Sequence, residues 1–253
     1  MEYVIKIIES SKMSTREIND FIMVQREVFP KANMQFEDFK LKFLDNIFGD
    51  SFIALAYSDD VPAGARAFWR NDINGKKAYQ PSDTAVRKDF RRQGLFVKMT
   101  IPILDKLTEG EIVYNFPNEN SYPQYMKLGW KDFKIQYTRL FTISSYRREE
   151  PNSIPNDYFI WWIKPHLTEQ YGYVNIFDNY FLVRRISNKG KYIVFGQLEK
   201  ECALDLPLEH PILMVYQSAH CPIYNLRGKI ACKIVYKCDT KPQSIPCWKT
   251  DVF

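Results

Sequence analysis

Strand-like and helix-like segments alternate through the first 150 residues, and a chain with that pattern must layer helices against a sheet. Residues 3–8 are a short β-branched run with strand character. Ser14 and Thr15 offer a cap ahead of Ile18, Phe21, Ile22, Val28 and Phe29, which fall at helical spacing with Gln25 interrupting the stripe. A second helical stretch carries Phe36, Phe39, Phe43, Leu44 and Ile47 and stops at Gly49. Residues 51–57 and 63–69 flank a turn at Ser58, Asp59 and Asp60 and read as a β-hairpin; Asn74-Gly75 marks a further turn before a strand over 77–86. Residues 94–109 read as a helix kinked at Pro102, 111–116 as a strand, 122–128 as a short helix, and 130–141 as one long strand.

A segment rich in arginine, glutamate and proline at 146–155 reads as a linker, which sets expected domains of 1–146 and 155–253. The second is β-rich: an aromatic helical segment at 157–163 precedes strands at 171–177, 180–186, 192–198, 211–217 and 229–237. Its order of helix, hairpin and strand resembles that of 36–86, so a degenerate repeat of the first domain is one reading.

Composition narrows the function classes. With 45% hydrophobic residues the chain can bury a core, so general disorder is excluded. No apolar run approaches the roughly 20 residues of a spanning helix, and the start lacks an export leader, so a cytoplasmic chain with no membrane partner is expected. A net charge of +5 from 35 basic and 30 acidic residues is too small for a general nucleic-acid binder. All five cysteines lie beyond residue 200, in odd number and without a Cys-x2-Cys pair, so neither a disulfide framework nor a metal site is expected. His220, Cys221, Cys232 and Cys238 are the nearest approach to a zinc set, and reduced, buried thiols are the preferred account of the cysteines.

The chemistry concentrates where the strand ending at Val86 runs through Arg87-Lys88-Asp89-Phe90-Arg91-Arg92-Gln93-Gly94 into the apolar helix that Leu95 opens. A helix entered directly from a loop leaves its first amides unpaired and its positive dipole end turned to one spot. Gly94 removes a Cβ from that spot, and four basic side chains within six residues attract anions to it. A phosphate-bearing ligand is the physical expectation; a solvated basic turn before an ordinary helix is the alternative.

Val86-x4-Arg91-x2-Gly94 resembles the acetyl-CoA pyrophosphate motif of the GNAT superfamily of acyl-CoA-dependent N-acyltransferases. Asn118, Tyr125, Gly129 and Trp130 are similar to that family's Asn-x6-Tyr-x3-Gly-Phe signature, and the element order over 1–141 matches as well. The phrase Phe116-Pro117-Asn118-Glu119-Asn120-Ser121-Tyr122-Pro123 ahead of Leu128-Gly129-Trp130 is similar to a bacterial branch associated with surface-polysaccharide gene clusters. The motif's last position, usually Gly or Ala, is Phe96 here. The resemblance implies an α/β fold with a GNAT-type mixed, mostly antiparallel central sheet flanked by helices, followed by the smaller β-rich unit. It implies transfer of an acetyl group from acetyl-CoA to a small-molecule primary amine, an amino sugar or sugar nucleotide being favoured, in a ternary complex without a metal. The alternative is a catalytically silent acyl-CoA-binding or structural module.

The same resemblance assigns roles. The amides of Arg92, Gln93, Gly94, Leu95 and Phe96 would hold the pyrophosphate, with Arg91 anchoring the loop. Arg87 and Lys88 would meet the adenosine 3′-phosphate or stand as surface charge. Asn118 would bond the cofactor arm or cap the helix that carries Tyr125. Tyr125 would protonate the departing thiolate, or serve as a core aromatic. The amide of Val86 or its neighbour would hold the oxyanion at a strand bulge. Asp83 is the candidate base, reaching the substrate face only if a bulge shifts the strand's alternation, with a water relay as rival. Arg26 and Glu27 are placed at the acceptor pocket by the family layout.

Overall fold

The computed structural model describes residues 2–133, 137–143, 153–218 and 234–236. The chain divides into two compact units, one of residues 1–132 with 234–241 and one of residues 133–233 with 242–253.

In the first unit β1 (Val4–Glu9) leads to α1 (Thr15–Val28), which starts on a capping box. The Ser14 hydroxyl accepts from the Glu17 amide at 3.3 Å, and the Glu17 carboxylate accepts from the Ser14 amide at 2.9 Å. The second helical stretch is short: α2 (Phe36–Phe39) runs into a π-turn over Lys40–Leu44. That widened turn seats Phe39 and Phe43 against Phe21 of α1, with ring centroids 5.4 and 5.7 Å away. β2 (Phe52–Ser58) and β3 (Val61–Arg70) are joined by Asp59 and Asp60 at φ 48° and 62°, the two-residue turn whose twist matches a hairpin.

β4 (Ala78–Val86) then hands the chain to α3 (Leu95–Leu104), which returns to β5 (Ile112–Asn115), parallel to β4. α3 stops at Leu104, short of the expected residue 109. Pro102 supplies no amide, and the bonds from Lys106 to Ile103 and from Leu107 to Leu104 tighten the chain out of the α-helix. The helix lies close on the sheet because β2 and β3 are paved with Ala54, Ala56 and Ala63 beside Gly64. A Cβ at Gly64 would stand 3.1 Å from the Ala85 carbonyl and 3.4 Å from the Met99 side chain.

β5 is followed by α4 (Tyr122–Lys127) and β6 (Lys131–Phe133), and the sheet order is β1-β2-β3-β4-β5-β12-β6, where β12 is Ile234–Tyr236. Two sequence expectations change here. Residues 130–141 are not one strand: β6 belongs to this sheet and β7 (Tyr137–Phe141) to the second, since unbroken alternation gives no sign of where a strand changes partners. The last strand expected in the C-terminal unit instead pairs with β5, Val235 opposite Asn115. A β-branched run satisfies any free edge equally well, and β5 has one. The division after Asp132 therefore precedes the expected boundaries at 146 and 155.

The second unit holds α5 (Asn156–Tyr158), another π-turn over Phe159–Ile163, β8 (Tyr171–Ile176), β9 (Asn179–Ser187), β10 (Lys191–Leu198), α6 (Lys200–Leu204) and β11 (Leu213–Ser218). Its order is β7-β11-β10-β9-β8, with β10 and β11 parallel and the other neighbours antiparallel. The succession of α2, π-turn, β2, β3, β4, α3 and β5 thus recurs as α5, π-turn, β8, β9, β10, α6 and β11. The hairpin turn recurs too, with Phe177 and Asp178 at φ 50° and 60°. Val174, Phe181, Val183 and Val194 form the core of this sheet. No described helix is long and apolar enough to cross a membrane.

Candidate active site

β4 and β5 pair only at Ala78 with Ile112 and Tyr79 with Val113, and beyond those residues the strands splay. A cleft of about 850 Å³ opens there, walled by the C-terminal part of β4, the entry to α3, Asn115 and α4.

Along β4 the register with β3 jumps from Ala65 opposite Ala85 to Ala67 opposite Ser82, so Arg66 faces two residues, Asp83 and Thr84. Asp83 carries the bulge at φ 47°. Three side chains hold it. Gln25 of α1 donates to the Asp83 carbonyl at 2.5 Å, while Lys42 and the Ser82 hydroxyl reach carboxylate Oδ2 at 2.9 and 2.6 Å. Gln25, which breaks the apolar stripe of its helix, is buried for this contact. Asp83 Oδ1 makes no hydrogen bond to the described residues, and Asp83 stands in the cleft wall.

After the bulge the Arg87 amide donates to the Ala63 carbonyl at 3.0 Å. Alternation then turns the Val86 amide toward the opposite edge, the one β5 has left. Arg91 Nε donates to the Val86 carbonyl at 3.0 Å and so ties the turn to the strand end. Arg87 is committed elsewhere, to Glu27 at 2.7 Å and to the Pro62 carbonyl at 2.9 Å, whereas Lys88 is exposed. Arg92 and Gly94 take left-handed φ values of 64° and 72°, which bend the chain into α3. The Val97 and Lys98 amides both return to the Gly94 carbonyl at 3.0 Å. The amides of Arg92, Gln93, Gly94, Leu95 and Phe96 make no hydrogen bond to the described residues. A Cβ on Gly94 would meet nothing within 4 Å, so the space before these amides is open to a ligand.

The far side of the cleft is built around Tyr125. The residue is 2% exposed, its ring tilted 46° against Trp130 at a centroid distance of 4.4 Å and met edge-on by Phe96 at 5.4 Å. The phenol oxygen accepts from Arg66 Nη2 and from Asn115 Nδ2, each at 2.8 Å. Asn118 lines the cleft, but its Oδ1 accepts from the Asn120 and Ser121 amides at 3.1 and 2.9 Å, an Asx-type turn that leads into α4.

Val86, Asp83, Arg91, Arg92, Gly94, Leu95, Phe96, Asn118 and Tyr125 thus face one cleft; Gln93 is exposed on the turn and outside its wall. Arg26 and Glu27 do not line the cleft, since Arg26 binds the Met34 carbonyl at 2.6 Å and Glu27 binds Arg87. Gln25, Val28 and Phe29 from the same helix do. Sequence reasoning missed Arg66, Lys42 and Asn115. One signal was present: Arg66 is the sole charged residue in 61–69. Among the described residues no group of three His, Cys, Asp or Glu is placed to hold a metal. His220, Cys221, Cys232 and Cys238 lie outside the described residues.

No protein-family model matches the chain, and no curated protein sequence matches it. Solved structures do. A GCN5-related N-acetyltransferase from Kribbella flavida superposes with a TM-score of 0.56 at 12% identity, covering 93% of this chain and 72% of that one. A conserved protein of unknown function from Enterococcus faecalis V583, described as a probable N-acyltransferase, gives 0.54 at 12% identity over 94% and 73%. The fold is therefore that of the GNAT N-acetyltransferases: a mixed, mostly antiparallel sheet flanked by helices, with a second β-rich sheet.

Proposed function

We propose that the protein transfers an acetyl group from acetyl-CoA to a primary amine, by direct attack in a ternary complex. The observation that carries this reading is that four residues with unpaired amides, Arg92, Gly94, Leu95 and Phe96, line the same cleft as the buried phenol of Tyr125, with Gln93 on the same turn. The amides of Arg92, Gln93, Gly94, Leu95 and Phe96 receive the pyrophosphate, helped by the dipole of α3, and Arg91 holds their turn on the strand end. The Val86 amide lies at the open edge of β4, where it meets the thioester oxygen as charge builds on it. Tyr125 protonates the departing sulfur. Asp83 serves the incoming amine through its Oδ1, directly or through a water, while Lys42 and Ser82 fix the other oxygen. Asn118 shapes the loop before α4 and reaches the cofactor arm from the cleft wall.

The acceptor is read as a small amine of amino-sugar or sugar-nucleotide type, in keeping with the resemblance of the 116–130 segment, and a cytoplasmic supply of acetyl-CoA suits it. The second unit is read as a degenerate repeat of the first. Only Glu199 separates β10 from α6, so the repeat lacks the basic, glycine-bearing turn and would not bind CoA. Release of free thiol from acetyl-CoA, followed with and without amino sugars and other primary amines, tests the reading. Amine-dependent release is expected. Tight acetyl-CoA binding with no release for any amine would instead leave a silent binding module.

A further inference from the structure

Arg66 sits in mid-β3 with none of its surface exposed, and no carboxylate partners it among the described residues. Its guanidinium donates to Thr84 Oγ1 at 2.9 Å and to the Tyr125 oxygen at 2.8 Å, and it lies 4.2 Å from the centre of the Phe96 ring. Nε is buried with no acceptor. Taking a cation out of water without a counter-ion is strongly unfavourable, and a guanidinium kept only for packing would have its donors satisfied. What this cation does reach is one threonine hydroxyl and one phenol. The phenol oxygen already accepts from Arg66 and Asn115, so its own O–H can point at neither, and Tyr125 lines the cleft.

We propose that Arg66 is the positioning residue of the acid step: with Asn115 it fixes the Tyr125 oxygen so that the O–H is presented to the cleft, and its uncompensated charge stabilises the phenolate formed when that proton leaves. The inference rests on the reading of Tyr125 as the acid. In the step, the amine nitrogen bonds to the acyl carbon and the C–S bond breaks with its electron pair on sulfur. The phenol proton passes to sulfur, the proton shed by the new ammonium passes to Asp83, directly or through a water, and the phenolate regains a proton from solvent as Asp83 releases its own. Neither oxidant nor metal enters.

The test compares Arg66→Met, Arg66→Lys, Tyr125→Phe and the Arg66→Met/Tyr125→Phe double variant with two donors. These are acetyl-CoA and S-acetyl-4-nitrothiophenol, whose thiolate leaves without a proton. With acetyl-CoA, Arg66→Met should lower kcat by about 10- to 100-fold with little change in KM, since it removes help given only in the transition state. Arg66→Lys should recover part of the loss, the double variant should be no slower than Tyr125→Phe alone, and the aryl thioester should react at near wild-type rate throughout. An unchanged kcat in Arg66→Met, or a further loss in the double variant, would overturn the assignment. If Arg66→Met does not fold, the same cycle with Asn115→Ala decides, with the same outcomes for and against. Normal turnover in Tyr125→Phe would sink the acid reading itself, whatever Arg66→Met does.

Discussion

Two donors converge on the oxygen of Tyr125, and that arrangement separates the catalytic from the structural consequences of its loss. Tyr125→Phe keeps the ring contacts to Trp130 and Phe96 but strands Arg66 Nη2 and Asn115 Nδ2. Leaving buried donors unpaired costs about 1–3 kcal/mol, so a lower melting temperature is expected of this variant and does not by itself mark a core residue. The distinguishing measurement is turnover against affinity: a fall on the order of 10²-fold in turnover with acetyl-CoA affinity nearly unchanged is expected, and unchanged turnover would refute the acid role. Asp83 makes a second residue-scale case. Asp83→Asn keeps the shape of the bulge but weakens the hold of Lys42, so steady-state assays should show slower acetylation with acetyl-CoA affinity intact; an unaltered rate would leave a water in the base's place. Tyr125 and Gly94 were legible in the sequence because fixed spacing and unpaired amides announce themselves locally. Arg66, Asn115 and Lys42 were not, because each acts through a partner at least 10 residues away that only the folded sheet brings near.

At the scale of elements, α1 and α3 depend on their first turns for different reasons. Glu17 is held below the ordinary carboxylate range chiefly by the Ser14 amide, against the opposing effect of burial, and further by the Ser14 hydroxyl and Lys6. A carboxyl lowered on folding adds stability above its unfolded value, near 4.5, and loses it as pH falls through the lower folded value. Glu17→Gln should therefore reduce stability by about 0.5–1 kcal/mol at neutral pH, and chemical denaturation repeated at falling pH should show the gap closing. For α3 the requirement is conformational. Gly94→Ala should cost about 1–2 kcal/mol because φ is 72°, yet still show a melting shift with acetyl-CoA. Gly94→Glu should abolish that shift by placing a carboxylate where the phosphate belongs, and an unchanged shift would move the site elsewhere. The element order of the first unit was readable because strand and helix periods alternate cleanly there. The early end of α3 and both π-turns were not, since they arise from hydrogen bonds that an apolar pattern does not encode.

For the whole molecule, pairing across long sequence distances decides what can stand alone. Ile234–Tyr236 completes the first sheet beside β5, so a fragment of residues 1–148 loses a strand and bares an edge. Such a fragment should aggregate in size-exclusion chromatography, and a monodisperse, fully active one would contradict that expectation. Strand character at 229–237 was visible, but nothing in a β-branched run names its partner, which is why the sequence placed it in the wrong sheet. The central claim is that acetyl-CoA binds by its pyrophosphate to the entry of α3. Titrating the 15N-labelled protein of residues 1–253 with CoA and following its amide resonances tests it directly. The resonances of Arg92, Gln93, Gly94, Leu95 and Phe96 should shift together and saturably, with the second unit's α6 unmoved; binding that leaves those five amides in place while others shift would contradict the account.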